Sequence, residues 1–285
     1  MQYLPLFVWS VWMTTIVILS VNNALPSGLM GMVDIFALSG LHFVQKSGDG
    51  ALSKVEWHPN VILANHDGQP ITDGHGRIFE VDSDFASIKH CDAVLVPGFI
   101  PNGQGHPPKT TTDMLTRSWL ATQYKKGALM CGSCSGVFAL GEAGLLNNRK
   151  CTTTWWLHDE LKQRFPKANA VWASELIDDN GIISAGGPLS WVTIALHIVK
   201  KLAGIETAKV VADFSVVDAI PKSQNLYVPE GYQASNNPFL AKAEYTIRKA
   251  HYQTMSAGDL AKIMAISERT LNRKLKELTG ETPKA

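Results

Sequence analysis

The segment Gly127–Leu146, GALMCGSCSGVFALGEAGLL, decides the fold. An apolar run ends in Gly-Ser-Cys-Ser-Gly, and a helix-like run of Val, Phe, Ala and Leu follows at once. A cysteine between glycines at a strand-to-helix turn is a common way to present a nucleophile, because glycine permits the sharp turn and the crowding beneath it. The segment therefore predicts a buried strand, a tight elbow at Cys134 and a helix directly behind it.

Strand-like and helix-like segments alternate on both sides of this elbow. TIVILSV (15–21) and DAVLVPG (92–98) are apolar and strand-like, whereas TTDMLTRSWLATQYKK (111–126) and LSWVTIALHIVKKLAG (189–204) have helical spacing. Near-continuous apolar strands between helices are typical of a parallel sheet that is covered on both faces. The sequence therefore predicts an α/β fold.

Charge is distributed unevenly along the 285 residues. The net charge is +1, so the overall composition does not indicate nucleic-acid binding. The segment from Leu240 to Ala285, however, contains nine Lys and Arg and five Asp and Glu, so its net charge is 9 − 5 = +4. The rest of the chain then has a net charge of 1 − 4 = −3. A basic C-terminal part on a slightly acidic body indicates a partner that the total charge hides.

The cysteine content disfavours a disulfide framework. Four cysteines (Cys91, Cys131, Cys134 and Cys151) in a chain of this size are more typical of the reducing cytoplasm. Cys131 and Cys134 form a C-x-x-C spacing, but no second Cys/His pair stands at a metal-binding spacing. We therefore predict no metal and no cofactor.

Residues 1–21 contain no charged side chain, so this N-terminal segment can be interpreted as a membrane or signal segment. No Lys or Arg precedes its apolar run, and its second half is β-branched like a buried strand. We expect the first domain to begin near Met13, after a leader or an over-extended start at 1–12. A cytoplasmic protein without a membrane partner is the favoured interpretation.

The C-terminal stretch SAGDLAKIMAISERTLNRKLKELTG (256–280) predicts two helices joined by a short turn. Ser256 and Asp259 stand at the spacing of a capping box, and Ser267 precedes the second helix. Two apolar stripes at helical spacing are expected to be buried: Leu260, Ile263 and Met264 in the first helix, and Leu271, Leu275 and Leu278 in the second.

The opposite face of the second helix is polar and basic. Its side chains, at i, i+3, i+4 and i+7, are Arg269, Asn272, Arg273 and Lys276. Such an array can contact base edges and phosphates in DNA. A solvated, salt-bridged helix face is the alternative interpretation, and the residues alone leave both open.

The segment LAKIMAISERTLNRKLKELTGETP (260–283) resembles the first half of an AraC/XylS-type DNA-binding domain. The resemblance implies that Arg269, Asn272, Arg273 and Lys276 belong to its first recognition helix. That family carries two helix-turn-helix units, and the second is expected beyond Ala285. One unit alone buries little surface, so we expect weak DNA binding with a steep salt dependence.

The rest of the chain resembles the ThiJ/PfpI branch of the class I glutamine-amidotransferase-like superfamily, and more closely AraC-type regulators fused to such a domain. The segments that carry the likeness are LVPGF (95–99), CSGVFALGEAGLL (134–146), NRKCTTTWW (148–156), DELKQRFP (159–166), IISAGG (182–187) and ALHIVKKLAG (195–204). The resemblance extends from Thr14 to Pro283. It implies a flavodoxin-like sheet, a small-molecule effector and a homodimer.

Several positions that are polar or flexible in this family are changed in the chain. Ser135 follows the cysteine where the hydrolases have His, Thr154 replaces a His of the regulators, Phe99 replaces a Gly, and Thr193 replaces an Asp. The first helix shows Gly28, Leu29 and Gly31 where the enzymes offer a Glu. We expect His158 on an outer face and His197 as a satisfied core residue. Cys134 is thus predicted to occupy a vestigial nucleophile position, and we predict that the chain has no catalytic residue.

Backbone N–H groups at the elbow are expected to lower the pKa of the Cys134 thiol and to hold an anion or a carbonyl group of a ligand. The predicted ligand pocket consists of Gly98, Phe99, Cys134, Ser135, Thr154, Trp155 and Gly186.

Three parts follow from these observations. Residues 13–217 are predicted to form an effector-sensing and dimerisation domain, 218–239 a linker rich in Pro, Asn, Gln and Ser, and 240–285 a partial helix-turn-helix domain. The predicted function is a DNA-binding transcription regulator with a catalytically degenerate sensor domain. The alternative is a Cys-dependent hydrolase or hydratase that uses Cys134, with the helical tail as an interaction module.

Overall fold

The computed structural model describes residues 13–40, 45–46, 52–53, 57–100, 106–218, 223–229, 232, 237–249, 255–280 and 282–283. The segment 1–12, for which a leader was considered, lies outside the described residues. So do parts of the predicted linker, at 219–222, 230–231 and 233–236. No helix within the described residues is long and apolar enough to cross a membrane.

The described residues contain thirteen strands, several of them only two residues long. They are β1 Thr15–Leu19, β2 Gln45–Lys46, β3 Leu52–Ser53, β4 Asn60–Asn65, β5 Ile71–Thr72, β6 Ile78–Phe79, β7 Ser83–Asp84, β8 Ala93–Val96, β9 Leu129–Ser133, β10 Lys150–Cys151, β11 Asn169–Ala170, β12 Leu176–Asp179 and β13 Ile182–Ala185.

Nine α-helices complete the same residues. They are α1 Pro26–Leu38, α2 Met114–Lys125, α3 Val137–Glu142, α4 His158–Arg164, α5 Trp191–Ala203, α6 Ile205–Ser215, α7 Pro238–Lys249, α8 Ala257–Ile263 and α9 Glu268–Thr279. Single 3₁₀ turns are formed by Cys134–Gly136, Trp155–Leu157 and Gln224–Leu226.

The central sheet has the strand order β12-β13-β9-β8-β1-β4-β7. All neighbouring strands run parallel except the edge pair β12 and β13, which is antiparallel. The carboxyl ends of β1, β8, β9 and β13 therefore meet at one edge of the sheet, where ligands bind in open α/β folds.

Side chains of successive strand residues enter two separate cores. In β1, Val17 and Leu19 pack into one core, and Ile16 and Ile18 pack into the other. The first core is covered by residues of α2, α3 and α4, and the second by residues of α1, α5 and α6. Helices on both faces of a mostly parallel sheet confirm the predicted flavodoxin-like α/β fold.

The C-terminal helices surround a small core of their own. Leu260, Met264 and Leu271 are buried in it. The predicted capping box is confirmed, since the Ser256 side chain accepts from the backbone of Asp259 and the Asp259 side chain accepts in return. The prediction for Ile263 is wrong: its side chain is 54% exposed, because the contacts of this core are made by the neighbouring positions of α8.

Part of the segment expected to be a linker packs against the α/β body. Gln224 is buried in the 3₁₀ turn Gln224–Leu226, and its backbone N–H donates to the carbonyl of Ala173. Trp172 donates its indole N–H to Asn225 at 3.0 Å. This segment is thus attached near the carboxyl edge of the sheet.

Candidate functional site

The elbow after β9 has the backbone geometry of a presented nucleophile. Cys134 has φ +53°, a left-handed conformation that a side-chain-bearing residue adopts only under structural constraint. A Cβ at Gly136 would lie 2.5 Å from the carbonyl oxygens of Val96 and Pro97. Only glycine fits there, so the elbow depends on a close approach to the exit of β8.

The sulfur that this elbow presents is buried and neutral. Cys134 is 4% exposed, and burial raises the pKa of its thiol to about 11. Hydrogen bonds from the backbone and side chain of Ser135 act in the opposite direction and do not offset burial. The expected lowering of this pKa is therefore wrong. No imidazole or carboxylate within the described residues is hydrogen-bonded to the sulfur.

Polar groups beside the cysteine bind one another. The Phe99 backbone N–H donates to the Ser135 hydroxyl at 2.8 Å, and this hydroxyl donates to the Phe99 carbonyl at 3.3 Å. The Thr153 hydroxyl donates to the Cys134 carbonyl at 2.8 Å. A Cβ at Gly98 would lie 3.3 Å from that of Cys134. The elbow is thus closed by the chain's own groups.

The first helix gives the elbow no acid. A Cβ at Gly31 would lie 2.2 Å from the Trp191 ring, and a Cβ at Gly28 would lie 2.9 Å from the Cβ of Pro97. The Trp191 indole and the exit of β8 occupy the space into which a longer side chain would extend. A glutamate at these positions is incompatible with this packing.

A cavity of about 630 Å³ lies one strand further along the edge, beyond the carboxyl end of β13. It is lined by the turn 186–190, by the segment 154–156, and by residues of the chain between the α/β body and the C-terminal helices. We call it the Gly186 cleft. Its size matches pockets that hold small organic ligands.

Gln224 forms one wall of the Gly186 cleft. Its side-chain amide donates to the carbonyls of Thr153 at 3.0 Å and Ser174 at 2.7 Å, and it accepts from the backbone N–H of Trp155 at 2.9 Å. A Cβ at Gly186 would lie 1.9 Å from the Gln224 nitrogen. The glycine therefore gives this amide room to dock.

The Gly186 cleft also contains polar groups of a different kind. Thr154 is fully buried, and within the described residues its hydroxyl oxygen has no hydrogen-bond partner. Glu175 accepts a hydrogen bond from the Thr193 hydroxyl at 2.8 Å. A buried hydroxyl without a partner is unfavourable by itself.

The residues predicted to form one pocket occupy separate places. Thr154, Trp155 and Gly186 line the Gly186 cleft. Phe99 lines a different crevice of about 430 Å³, together with Asn65, His66 and other residues. The other three predicted residues, Gly98, Cys134 and Ser135, line neither cavity. Ligand binding by any of the seven stays a prediction.

The two histidines differ from their expected environments. His158 is buried against the edge of Trp172, not on an outer face, and desolvation lowers the pKa of its imidazole to about 4. His197 is partly exposed instead of lying in the core, and its Nε2 lies 2.8 Å from Asp178. Neither histidine is hydrogen-bonded to Cys134. Within the described residues, no cluster of three or more His, Cys, Asp or Glu could hold a metal.

All four cysteines are free and buried. Burial raises the pKa of Cys91 to about 12 and that of Cys151 to about 11, and it raises that of Cys131 as well. Cys131 and Cys134 thus form no disulfide, and neither is an exposed thiolate.

The polar face of α9 is accessible. Arg269, Arg273 and Lys276 are exposed, and Asn272 is half-buried between them. Arg273 forms an ion pair with Glu277 at 2.8 Å on the same helix. The opposite face holds Leu271 and packs into the small core, so the helix has one apolar and one basic side.

A comparison with known families adds to this geometry. The sequence profile of the DJ-1/PfpI family matches residues 50–201, more than half of the chain. The chain belongs to the DJ-1/PfpI family. The match includes the elbow, the Thr154 segment and the turn at Gly186. DJ-1/PfpI membership thus covers both the closed elbow and most of the Gly186 cleft.

The sequences that are similar to this chain include an enzyme and transcription regulators. The isonitrile hydratase of Pseudomonas putida is 28% identical over 152 residues, which are 53% of this chain and 63% of the hydratase. The HTH-type transcriptional regulator CdhR of Pseudomonas aeruginosa is 26% identical over 231 residues, 80% of this chain and 65% of CdhR. The chain thus spans less than two thirds of the length of these relatives.

Solved structures agree on the DJ-1/PfpI fold. A ThiJ/PfpI family protein from Pseudomonas syringae superposes with a TM-score of 0.58 at 18% identity, covering 84% of this chain and 88% of that protein. An AraC family transcriptional regulator from Pseudomonas putida gives a TM-score of 0.56 at 16% identity, covering 71% of this chain and 99% of the regulator structure. At these identities, the likeness concerns the fold.

Sequence reasoning missed two residues of the Gly186 cleft. Gln224 lies in a stretch without apolar periodicity, which predicts a linker, and Glu175 lies between a turn and an edge strand. A Gly-Gly pair directly after a buried strand, at 186–187, is the signal that could have indicated a close approach of another segment.

Proposed function

We propose that this protein is a DNA-binding transcription regulator whose DJ-1/PfpI domain senses a small molecule without catalysing a reaction. The observation that carries the proposal is α9, a short helix with a buried apolar side and an exposed face bearing Arg269, Arg273 and Lys276. It follows α8 after a four-residue turn, 264–267, as in a helix-turn-helix unit. Relatives named as HTH-type regulators support the same conclusion.

The sensor domain corresponds to residues 13–217, the connection to 218–239 and the DNA-binding part to 240–285. A single helix-turn-helix unit buries too little DNA surface for tight binding. We therefore propose that the protein acts as a homodimer, in which two units bind two half-sites and raise each other's effective concentration.

A non-catalytic sensor is supported by the closed elbow. An active thiol needs a thiolate and an adjacent base or orienting group. Cys134 is buried with a pKa of about 11, and Ser135 is bonded to Phe99. The alternative of a Cys-dependent hydrolase or hydratase is favoured by one observation, the retained left-handed backbone at Cys134.

Fluorescence anisotropy with short labelled DNA duplexes, first chosen by selection from random sequence, tests the proposal. We expect weak binding that falls steeply with salt, because Lys and Arg release counterions from phosphates. Replacing Arg269, Arg273 and Lys276 together by Ala should weaken binding by about tenfold or more and reduce the salt slope by about one per lost phosphate contact.

A matched variant controls for the loss of charge. Lys125, Lys200 and Lys209 are exposed lysines of the α/β body, and replacing all three by Ala removes the same charge. We expect this variant to bind DNA nearly as the parent does. Equal losses in the two variants, or a tight complex that is insensitive to salt, would contradict the proposal.

A further inference from the structure

The α/β body and the C-terminal helices have separate cores. Within the described residues, every member of the small C-terminal core comes from α7, α8, α9 or the turns beside them. The two parts therefore share no apolar core, and they are held together by the contact between their surfaces. Domains joined in this way move relative to each other unless their interface is large and apolar.

The C-terminal end of α9 lies on the α/β body. Gly280 ends this helix with φ +80°. A Cβ at Gly280 would lie 3.5 Å from the carbonyl oxygen of Trp172 and 3.8 Å from the Val171 side chain. Because α9 also carries the exposed basic face, the contact at its end determines how this face is oriented relative to the body.

A cavity of about 210 Å³, which we call the Trp172 cavity, lies at this contact. The C-terminal helices contribute Leu240 and Leu278 to its lining, and the body contributes Trp172 and His158. Leu240 is 6% exposed and belongs to none of the three described cores, so the body helps to bury it. Atoms that face a cavity lack van der Waals partners, so this contact is weaker than a closely packed core.

Tyr232 connects the Trp172 cavity to the Gly186 cleft. Its ring stacks on Trp172, with the centroids 6.3 Å apart, and it meets Trp155 edge to face at 4.7 Å. Its hydroxyl donates to the carbonyl of Trp156 at 3.5 Å. Trp155 and Trp156 both line the Gly186 cleft. One aromatic side chain therefore contacts both the wall of the cleft and the surface that holds α9.

We propose that Tyr232, Leu240 and Leu278 form a releasable latch that holds α9 in one orientation on the Trp172 surface of the α/β body. Aromatic rings in these arrangements attract one another, and burial of the two leucines adds to the contact. Because the cores are separate, the latch opens without unfolding either part. A displacement of the cleft wall at Trp155 moves Tyr232, so the latch connects the cleft to the C-terminal helices.

The latch has a consequence for DNA binding that rests on the regulator proposed above. In a dimer, two α9 helices held in fixed orientations fit two half-sites at one spacing along the DNA. Released helices tolerate other spacings, because each can turn independently of the other. The latch therefore selects the spacing of the half-sites, whereas the basic face of α9 contacts each half-site.

Pulsed electron paramagnetic resonance on the full 285-residue chain tests the latch itself. Spin labels at Lys209→Cys on α6 and Lys242→Cys on α7 replace exposed side chains, and the four native cysteines are buried. Dilution with unlabelled protein removes distances between chains. We expect one narrow distribution of distances between the two labels. Tyr232→Ala and Leu278→Ala should each replace it by a broad distribution, because each removes one side of the contact.

Matched variants separate the latch from general effects on the fold. Tyr232→Phe keeps the ring contacts and should keep the narrow distribution. Leu226→Ala should keep it as well, because Leu226 is 73% exposed and lines neither the Trp172 cavity nor the Gly186 cleft. Tyr232 and Leu278 belong to none of the three described cores, so their replacement should leave the circular dichroism spectrum unchanged.

DNA duplexes with two half-sites test the role of the latch in the regulator. Insertion of about five base pairs, half a helical turn, between the half-sites should weaken binding of the parent protein by about tenfold or more. The same insertion should weaken binding of Tyr232→Ala by about threefold or less, since its two units turn independently. Both proteins should bind a single half-site equally.

The outcomes separate the latch from the proposed function. A broad distribution in the parent, narrow distributions in both Tyr232→Ala and Leu278→Ala, or equal broadening by Leu226→Ala would show that the latch does not exist. Equal spacing preferences of the parent and Tyr232→Ala would overturn its role in orienting α9. Absence of DNA binding, together with a narrow distribution that Tyr232→Ala broadens, would leave the latch intact and overturn the regulator.

Discussion

The elbow at Cys134 and the Gly186 cleft lie at the same edge of one sheet, yet a buried hydroxyl at each place differs in its hydrogen bonding. At the elbow, the Ser135 hydroxyl is bonded to Phe99 and the cysteine is 4% exposed. In the cleft, the buried Thr154 hydroxyl has no partner in the described residues, and an open cavity lies beside it. The Ser135 hydroxyl at the elbow thus has partners, whereas the Thr154 hydroxyl at the cleft has none among the described residues.

A retained backbone motif can reflect packing alone. The backbone of the elbow persists because Gly136 packs against the exits of Val96 and Pro97. Its geometry is thus required by the fold, whether or not the sulfur reacts. An unsatisfied buried polar group carries a free-energy cost, and this cost is independent of the backbone motif.

The largest expected effect concerns the packing of the elbow. Gly136→Ala places a Cβ 2.5 Å from two carbonyl oxygens of the neighbouring strand exit, so the backbone has to move. We expect the free energy of unfolding to fall by on the order of 3 kcal/mol, measured by urea denaturation. Gly258→Ala is the control: its Cβ would meet nothing closer than 3.6 Å, and a helical Ala should add about 0.5–1 kcal/mol. A harmless Gly136→Ala would show that the elbow is not held by this contact.

The reactivity of Cys134 comes next. With a pKa of about 11, its thiolate is about 300-fold less abundant at neutral pH than that of free cysteine, whose pKa is about 8.5. Alkylation by iodoacetamide, followed by mass spectrometry, should be slower by at least this factor. The unfolded protein, in which all four cysteines react, is the control.

The same pKa sets a pH dependence. Because the folded-state pKa is raised above that of an unfolded cysteine, the neutral thiol contributes its full stabilisation below pH about 8.5 and loses it as the pH rises through about 11.

Fast labelling of Cys134 at neutral pH, together with turnover of amide or isonitrile substrates, would support the enzyme alternative instead.

The smallest expected effects are a pair of opposite sign. Ser135→Ala leaves the buried Phe99 N–H without its 2.8 Å acceptor and should lower the free energy of unfolding by about 1–3 kcal/mol. Thr154→Val replaces an unsatisfied buried hydroxyl by a methyl group of similar shape and should raise it by about 1 kcal/mol without ligand. Thermal denaturation of both variants measures the signs, and two losses would remove the distinction between the regions.

Local patterns were sufficient to predict most of the fold. The apolar runs that became β1, β8, β9 and β13 are buried on both sides, and the capping residue Ser256 stands where the sequence placed it. Ile263 was misassigned because helical spacing shows which positions share a face, but not how wide a face its partners cover. Two elements were not predicted from the sequence: the helix α6 and the half-buried edge strand β12.

The candidate site was predicted only in part, since both the elbow at Cys134 and the Gly186 cleft depend on contacts between residues far apart in the sequence. The altered residues Ser135 and Phe99 could be identified in the sequence, but their hydrogen bond joins positions 36 residues apart. The link from Gln224 to Thr153 spans 71 residues and arises in a stretch without periodicity. The periodicity of apolar residues predicts which side chains are buried, but it does not predict which distant segment packs against them.

The bridge made by Gln224 has an evolutionary consequence. Among the described residues, the hydrogen bonds of its side-chain amide go to main-chain atoms, those of Thr153, Ser174 and Trp155. Main-chain partners survive every side-chain replacement that keeps the backbone in place. Replacement of neighbouring side chains such as Thr154 or Glu175 can therefore leave the attachment of the segment around Gln224 unchanged over evolution.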